Sequence, residues 1–506
     1  MRRKGEKDMM GKVWLVGAGP SEAELLTIKA KRVIEQADAV VYDALVGRSV
    51  MDLVPESAEK IYVGKRAGHH SMPQGKINEL LLSLAEQGKR VVRLKGGDPF
   101  LFGRGGEELE LLEEHQIPFE VVPGVTSAIA VPAYFGIPVT HRELASSVHI
   151  VTGHQKKDEP LPISFKALKE AGGTIVFLMG IMSLHNIISG LLKAGMEPRT
   201  PVAVLQRGGG SGQKKIEGML ADIEQKVQEK GVSTPAVIVV GEVVRLGETF
   251  SWYERLPLSG RRFIVTRPRE RMRELAEGLR ELGAEVTELP TIALQGIHPN
   301  PRLREEIIHL SDYRFLVFTS PGGVEEFMRE LFDMGKDARY IGGISIAVIG
   351  SGTAKVLRRY GIVADRMPES YSGKALGALL SGECRDGDRV LIARSNIGNP
   401  ELVTELRRDK NIEISDTAVY TISDTGRAGD GEDRYPDAEP ESADGVFFTS
   451  ASTVRGFFSL FPQLDFSRIQ AFCIGEMTAR EAKKYGMRVK TAEMATVESL
   501  IQSALE

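Results

Sequence analysis

The chain has 506 residues, of which 42% are hydrophobic and 26% are charged, and its formal net charge is −4. This composition is typical of a globular protein and lacks the excess of lysine and arginine with which nucleic-acid binders neutralise phosphates, so we expect no nucleic-acid partner. The chain has only two cysteines, Cys384 and Cys473, which argues against a disulfide framework and a thiolate metal site. It has no long apolar run, which argues against a signal peptide and a membrane span. Both observations predict a cytoplasmic protein.

Short β-branched runs alternate with amphipathic stretches along the whole chain, which predicts α/β domains with largely parallel sheets. The stretch 253–260 contains Pro and Gly, and its apolar residues follow neither the helical nor the strand periodicity. We therefore predict one domain at 11–252, a linker at 253–261 and a second domain at 262–506. The predicted strands are 13–16, 39–42, 91–94, 148–152, 174–178, 202–205 and 237–240, then 263–266, 315–318, 345–349, 390–393, 446–448 and 471–474.

The first predicted strand ends in Gly17-Ala18-Gly19-Pro20, which superficially suggests a dinucleotide-binding turn. Glu22 occupies the place of the third glycine that such a turn needs for packing its helix against the strand. Pro20 also removes a backbone N–H from the loop that would hold pyrophosphate. The sequence thus argues against an NAD-type site.

Ordered glycine-rich motifs extend along the rest of the first half. They are VGKRAGHH (63–70), RLKGGDPF (93–100), FGRGGEE (102–108), VPGVTSA (122–128), THR (140–142), VTGH (151–154) and PAVIVVG (235–241). Over residues 11–252 the chain resembles the tetrapyrrole methylase family, in its uroporphyrinogen-III C-methyltransferase branch. It departs from the family where Gly19-Pro20-Ser21-Glu22 replaces the usual Gly-Pro-Gly-Asp.

The resemblance implies that S-adenosyl-L-methionine binds in a cleft between two α/β lobes. The residues that match the family's cofactor positions are Pro20, Gly96, Gly97, Asp98, Leu101, Thr126, Ser127, Met179 and Gly208. From the residues alone, a plain turn with an N-capping Asp is the favoured explanation of the Gly96–Asp98 segment, and core packing that of Met179.

Asp43 and Lys65 match the family's proton acceptor and proton donor. Methyl transfer to a pyrrole carbon must be followed by loss of a proton, which a carboxylate can accept beside an ammonium group. Arg66 and Arg104 are candidate partners for substrate carboxylates, together with Lys65, His69 and His70. The alternative for all of these side chains is a solvated surface.

The second half repeats itself with a period of about 125–130 residues, too long for a solenoid unit. Segments 318–320 and 448–450 both read Phe-Thr-Ser, and 349–354 matches 474–479 as Ile-Gly-x-x-Thr-Ala. We expect two similar α/β lobes that face a shared cleft.

From residue 262 onward the chain resembles uroporphyrinogen-III synthase, on motifs that include VTRP (265–268), FTS (318–320), VYT (419–421) and FTSASTV (448–454). Hydroxyl side chains at helix starts would bind the carboxylates of linear hydroxymethylbilane, and simple N-caps are the alternative. Tyr420 matches the family's tyrosine, either as a proton donor or as a packing aromatic. The substrate-binding candidates are Thr319, Ser320, Thr353, Ser450 and Thr478.

Together the resemblances imply closure of hydroxymethylbilane to uroporphyrinogen III, followed by methylation at C2 and C7 to precorrin-2. We expect S-adenosyl-L-methionine for the first domain, no cofactor for the second, no metal, tetrapyrrole substrates, no membrane partner and a homodimer formed through the methyltransferase domain. Two alternatives stay open: a methylase that acts on a later corrin intermediate, and a second half that is a non-catalytic two-lobed binding module.

Overall fold

The computed structural model describes residues 11–20, 22–64, 72–154, 161–266, 273–408, 410–424 and 439–506. The chain divides into two units, residues 1–260 and 261–506. At the start of the predicted linker, the short 3-10 turn Tyr253–Arg255 packs its tyrosine ring edge-on against Tyr134 of the first unit. Among the described helices, none combines the length and the apolar character that a membrane crossing requires.

The first lobe of the first unit is a five-stranded sheet in which every neighbouring pair is parallel, with the order β3-β2-β4-β1-β5. The carboxyl ends of its strands therefore lie along one edge, where α/β folds bind ligands. Its strands are β1 Lys12–Gly17, β2 Ala39–Tyr42, β3 Glu59–Tyr62, β4 Arg90–Lys95 and β5 Phe119–Val122.

Helices cover both faces of this sheet because β1 and β2 are apolar on both faces and β4 is buried on both faces. Helix α3, for example, buries Ile77, Leu81 and Leu84, which recur at helical spacing, against the sheet. The helices up to this point are α1 Ile28–Ile34, α2 Arg48–Met51, α3 Gln74–Glu86, α4 Gly105–Glu114 and α5 Ser127–Tyr134.

The second lobe is a mixed five-stranded sheet with the order β6-β7-β10-β8-β9. Strand β10 is antiparallel to both β7 and β8, so the carboxyl ends of β7 and β8 share one edge. Its strands are β6 Val148–Thr152, β7 Thr174–Leu178, β8 Pro201–Gln206, β9 Lys214–Met219 and β10 Ala236–Val240, and its helices are α6 Phe165–Ala171, α7 Leu184–Lys193, α8 Ile223–Lys230 and α9 Leu246–Thr249.

Helix α5 connects the two lobes of the first unit. It begins just after β5 of the first sheet, and it buries Ala128 and Val131 among side chains of the second sheet. The carboxyl edges of the two sheets are consequently joined through the first turn of one helix.

The second unit also contains two five-stranded sheets, with the orders β12-β11-β18-β19-β20 and β13-β17-β16-β14-β15. All pairs are parallel except β13 with β17. The first sheet comprises β11 Arg262–Val265, β12 Glu285–Glu288, β18 Gly445–Phe448, β19 Gln470–Cys473 and β20 Arg488–Thr491. The second comprises β13 Ile292–Gly296, β14 Phe315–Phe318, β15 Ser345–Val348, β16 Arg389–Ser395 and β17 Glu413–Asp424.

Nine α-helices within the described part of the second unit cover these sheets. They are α10 Arg273–Glu281, α11 Pro301–Ile308, α12 Pro321–Asp333, α13 Ser351–Arg359, α14 Gly373–Glu383, α15 Glu401–Leu406, α16 Ala451–Leu460, α17 Glu476–Lys484 and α18 Val497–Gln502.

The sequence repeat corresponds to a repeat of structure. The order β12-β11-β18-β19 in one sheet matches β17-β16-β14-β15 in the other, so one lobe is assembled from segments on either side of its partner lobe. The residues that cap equivalent helices share their backbone angles, with φ of −159° at Ser320 and −164° at Ser450. The predicted α/β class with two lobes in each half is confirmed.

Candidate functional site

In the first unit, the loops that follow β1 and β4 are tied together by backbone hydrogen bonds. The Gly97 amide donates to the Gly19 carbonyl at 2.8 Å, and the Gly19 amide donates to the Gly97 carbonyl at 3.2 Å. Pro20 and the Gly96–Asp98 turn, both predicted at the cofactor site, are thereby held side by side at the carboxyl edge of the sheet.

Asp98 organises the turn in which it lies. Its Oδ1 accepts the backbone N–H groups of Phe100 at 2.8 Å and Leu101 at 3.1 Å. Its Oδ2 accepts the N–H of Gly124 at 3.1 Å, in the loop that leads to α5. These contacts support the plain-turn interpretation for its carboxylate, and direct contact with a cofactor stays a prediction.

Gly97 leaves open space toward the start of α5. It has a φ of +68°, which side chains rarely adopt, and a Cβ built there meets only Thr126 Cα and Ser127 N, each at 3.9 Å. Thr126 is the N-cap of α5 and accepts the N–H of Ala128 at 3.3 Å. Backbone amides and hydroxyls therefore border a space that a side chain at position 97 would fill, which fits a polar ligand.

Met179 and Gly208 complete the predicted cofactor set from the second lobe, directly after β7 and two residues after β8. A Cβ at Gly208 would lie 3.1 Å from Val131 Cα, so this loop packs on the same helix α5. Met179 is 51% exposed, which excludes core packing as its role.

Unfavourable backbone conformations concentrate in these loops. Among the described non-glycine residues with positive φ, Phe102 and Arg104 follow β4, Met179 follows β7 and Arg207 follows β8. Conformations of this kind persist where function requires them, so they support a binding site at this edge.

Glu22, at the departure from the family pattern, links the β1 loop to α5. Its Oε2 accepts the Tyr134 hydroxyl at 2.8 Å. Burial and the neighbouring Glu22 carboxylate raise the pKa of Tyr134, so the phenol remains a hydrogen-bond donor. This hydrogen bond anchors the altered loop. An aspartate at position 22, whose side chain is shorter, would reach the Tyr134 hydroxyl less easily.

Asp43 lies beside the Gly96–Asp98 turn. Its Oδ1 accepts the N–H of Leu45 at 3.1 Å, and a Cβ at Gly96 would lie 2.5 Å from the Leu45 Cβ. The predicted proton acceptor and the predicted cofactor turn are therefore adjacent.

The other predicted residues of the first unit are less well defined. Lys65, Arg66 and the two histidines lie outside the described residues. Arg104 is exposed and donates through Nε and Nη2 to both carboxylate oxygens of Glu107, at 2.9 and 2.6 Å. Its role in substrate binding stays a prediction.

Arg93, Lys95 and Glu108 are buried charged residues near Asp43 that the sequence interpretation missed. Arg93 Nη2 lies 3.5 Å from Asp43 Oδ2, and both cations contact Glu108. The sequence signal that could have revealed the two cations is the alternation Arg-Leu-Lys in an otherwise apolar strand, because residues two apart lie on the same face of a sheet.

In the second unit, Ser320 and Tyr420 lie together at the carboxyl edge of one sheet. Ser320 caps α12 by accepting the Gly323 N–H at 3.1 Å, and its hydroxyl lies 2.9 Å from the Tyr420 hydroxyl. Tyr420 is largely buried but borders a cavity of about 570 Å³, which Gly322, Glu325 and Glu326 also line. This tyrosine therefore combines packing with a hydroxyl close to open space.

Ser450 occupies the equivalent place in the other lobe, where it caps α16 by accepting the Thr453 N–H at 3.3 Å. Thr319 is half-buried, whereas Thr353 and Thr478 are only 2% and 4% exposed. The two buried threonines have little surface to offer a ligand, and substrate binding by this set stays a prediction.

His298, Glu330 and Asp333 form a cluster whose ligand atoms lie within 4.8 Å of one another. His298 Nδ1 lies 3.0 Å from Glu330 Oε2, His298 Nε2 also pairs with Glu326, and Glu330 pairs with Arg304. These pairings explain the cluster as ion pairs between the β13–α11 loop, α11 and α12.

Comparison with known proteins gives one family for each half. Residues 12–224 match the family model described as Tetrapyrrole (Corrin/Porphyrin) Methylases, and residues 273–502 match the model described as Uroporphyrinogen-III synthase HemD. Over 504 residues, 98% of both chains, this chain is 42% identical to the porphyrin biosynthesis protein HemD of Ruminiclostridium josui.

Two further relatives match smaller parts of the chain. The S-adenosyl-L-methionine-dependent uroporphyrinogen III methyltransferase of Methanosarcina barkeri is 54% identical over 47% of this chain and 93% of its own length. The uroporphyrinogen-III C-methyltransferase of Bacillus subtilis is 38% identical over 73% of this chain and 76% of its own length.

Proposed function

Because the chain belongs to the family that joins a tetrapyrrole methylase to a uroporphyrinogen-III synthase, we propose that it performs two consecutive steps of tetrapyrrole synthesis. The second unit closes hydroxymethylbilane to uroporphyrinogen III with inversion of the D ring. The first unit methylates that product at C2 and C7 to precorrin-2, the precursor of sirohaem and cobalamin. The observation that supports the methylation site best is the contact between the Asp43–Leu45 turn and Gly96.

Bound S-adenosyl-L-methionine supplies a methyl group on a positively charged sulfur, which becomes a neutral thioether when the methyl group leaves. Gly96, Gly97, Thr126 and Ser127 would hold it from the first lobe and α5, and Met179 and Gly208 from the second lobe. By fixing donor and acceptor in one geometry, these residues supply most of the rate enhancement.

Asp43 has the position of the proton acceptor. When a pyrrole carbon gains the methyl group, the macrocycle gains the positive charge and must release one proton. The Asp43 carboxylate is 26% exposed, so a substrate in the cleft can reach it. Lys65 is proposed as the proton donor, and Arg66 and Arg104 as partners of the substrate carboxylates.

The second unit is proposed to work mainly by folding a flexible substrate, with no cofactor. The Tyr420 hydroxyl, hydrogen-bonded to Ser320, donates a proton to the departing hydroxyl of hydroxymethylbilane. The C–O bond breaks, water leaves and a carbocation remains on the pyrrole chain. The cationic methylene bonds the ring D carbon that already carries the methylene from ring C, and the older C–C bond breaks, which moves the cation to that second methylene. The second methylene then bonds the free α-carbon of ring D, which inverts the ring, and the proton lost from this carbon restores the phenol.

The test is a coupled assay of the full chain with hydroxymethylbilane, with and without S-adenosyl-L-methionine. We expect uroporphyrinogen III without the methyl donor and a dimethylated product with it. Formation of only the spontaneous I isomer would make the second half a binding module. Formation of the III isomer without methylation would favour a later corrin substrate for the first half.

We also propose that the chain forms a homodimer through its first unit. Ile28 and Met182 of this unit are 90% and 89% exposed, so a dimer interface that covers them would remove apolar surface from water. Analytical ultracentrifugation should give about twice the chain mass, and charged substitutions at both positions should shift the protein toward monomers. A wild-type protein that sediments as a monomer would refute the dimer.

A further inference from the structure

A network of buried ionic groups lies behind Asp43. Glu108 on α4 is fully buried, and its Oε1 accepts Lys95 Nζ at 2.6 Å and Arg93 Nε at 3.2 Å. Gln74 Nε2 on α3 donates to the same oxygen at 3.0 Å. Glu108 Oε2 is buried and has no partner among the described residues.

Stability does not explain this network. Removing charges from water is costly, and replacing a buried ion pair by apolar side chains is often neutral or stabilising. Glu108 shares its buried helix face with Leu112, where another apolar side chain would satisfy the core. A carboxylate retained there, with one unpartnered oxygen, points to a role in the adjacent site.

Arg93 connects Glu108 to Asp43. Its Nε donates to Glu108, its Nη1 donates to the Leu94 carbonyl at 2.9 Å, and its Nη2 faces Asp43 Oδ2 at 3.5 Å. Because the guanidinium is planar, fixing Nε and Nη1 also fixes the direction of Nη2. Glu108 thus controls where Arg93 presents its charge.

The network is electrically neutral only when Asp43 is ionised. Arg93 and Lys95 carry two positive charges, which Glu108 and Asp43 balance. Little solvent reaches this cluster, since Lys95 is only 5% exposed, and burial together with the neighbouring Arg93 lowers the pKa of Lys95. When Asp43 takes up a proton, one positive charge is left uncompensated, which favours return of the proton to water.

We propose that Glu108 is a positioning residue of the methyl-transfer site that holds Arg93 and Lys95 in place, and that these two cations orient Asp43 and favour its return to the carboxylate after each proton transfer. The inference rests on the proposed function of Asp43 as the proton acceptor. Glu108 does not touch the substrate and acts through Arg93.

In the described part of the chain, charged and titratable groups near Asp43 include residues of three elements besides Asp98 in the adjoining turn. Arg93 and Lys95 belong to β4, and Glu108 belongs to α4. Tyr62 on β3 lies against the adjacent Gly64 turn, where a Cβ would meet both its hydroxyl and the Ala44 amide. A substitution at Glu108 or Lys95 therefore changes the charge near Asp43 while the other groups named here keep theirs.

The first test compares E108Q with E110Q, a matched change on the exposed side of the same helix. Glutamine keeps an oxygen acceptor for Arg93 and removes the charge. We expect E108Q to lower kcat of methyl transfer by about tenfold, a fraction of the effect of a general base, with KM for uroporphyrinogen III unchanged. E110Q should match the wild type.

The second test is the pH profile of kcat, whose acid limb reports ionisation of the base in the complex. E108Q makes the cluster more positive and should move the limb to lower pH. Lys95→Met makes it more negative and should move the limb to higher pH, each by about half a unit to one unit. Shifts in the same direction, or no shift, would overturn the proposal.

A double variant that combines E108Q with Asp43→Asn distinguishes failure of this inference from failure of the proposed function. If Glu108 acts through Asp43, E108Q has little further effect in the Asp43→Asn background. An undiminished tenfold loss there would show that Glu108 only supports the fold. Full activity of Asp43→Asn alone would instead remove Asp43 from the proposed mechanism.

Discussion

The carboxyl edges of the sheets differ in chemistry between the two units. In the first unit, buried ions surround the edge, with Arg93, Lys95 and Glu108 behind Asp43. In the second unit, the equivalent edges present capping hydroxyls, Ser320 and Ser450, with the Tyr420 phenol beside one of them.

This difference fits the two proposed reactions. Methyl transfer leaves a proton to be removed, which requires a base whose charge is fixed by its surroundings. Ring closure with loss of water requires the substrate to be folded correctly, and a weak acid suffices. Substitutions that separate the two activities therefore test the comparison.

The largest effect is expected for Asp43→Asn. Loss of the base should reduce methyl transfer by about 10²- to 10⁴-fold, the usual contribution of general base catalysis. Binding of S-adenosyl-L-methionine, measured by calorimetry, should change less than twofold. Synthesis of uroporphyrinogen III by the same preparation is the internal control, and its loss would indicate misfolding.

Gly97→Ala should weaken cofactor binding. The added methyl group enters the space before α5 and strains a residue with a φ of +68°. We expect a Kd for S-adenosyl-L-methionine about 10-fold higher, because the methyl group occupies space that the ligand would fill; tenfold corresponds to about 1.4 kcal/mol of binding free energy. Gly75→Ala, on α3 where a Cβ meets nothing within 4 Å, is the control. Equal affinities of the two variants would contradict the site.

Tyr420→Phe should act only on the second unit. Without the phenol, formation of the III isomer from hydroxymethylbilane should slow by about tenfold, less than the usual contribution of general acid catalysis because folding of the substrate does most of the work, while methylation of added uroporphyrinogen III stays unchanged. Liquid chromatography of the oxidised isomers measures the ratio. Full ring-inverting activity would mean that Tyr420 only packs.

Ser320→Ala and Ser450→Ala should have similar effects on stability. Each removes one N-cap of equivalent geometry, which costs about 1 kcal/mol. Urea unfolding followed by circular dichroism measures the loss. Only Ser320→Ala should also slow ring closure, because Ser320, unlike Ser450, is hydrogen-bonded to Tyr420. Identical kinetics of the two variants would argue against a role for this pair.

The smallest effect concerns pH and His298. Burial opposes its charging, but hydrogen bonds to Glu326 and Glu330 raise the pKa of His298 overall above 6.5. Its contribution to stability is therefore complete below pH 6.5 and is lost as the pH rises through the higher folded-state pKa. His298→Asn should destabilise the protein more at pH 5.5 than at pH 9, and equal losses would refute this assignment.

Much of the fold was predictable because strands buried on both faces are apolar throughout. Strands β1 and β2 were predicted in this way. The strands β3, β5, β9, β12, β13, β17 and β20 were missed; all of them except β17 lie at sheet edges, and several carry charged residues such as Glu59 and Arg488. Their pairing is set by neighbouring strands and not by their own pattern.

The candidate sites were predictable to a lesser extent. Glycine-rich turns at strand ends predicted the candidate ligand-binding loops. The ionic network was not predicted, because charged residues are normally solvated. Met179 resembled a core residue until its 51% exposure was known. The discontinuous lobe was also missed, because a repeat period does not reveal which segments share a sheet.

The most direct test of two chemically distinct sites is product analysis of Asp43→Asn and Tyr420→Phe with hydroxymethylbilane and S-adenosyl-L-methionine supplied together. We expect Asp43→Asn to accumulate unmethylated uroporphyrinogen III, and Tyr420→Phe to lose the III isomer while it still methylates added uroporphyrinogen III. Two results would contradict the assignment of one reaction to each unit. One is that either variant, correctly folded, loses both activities; the other is that both variants keep both activities.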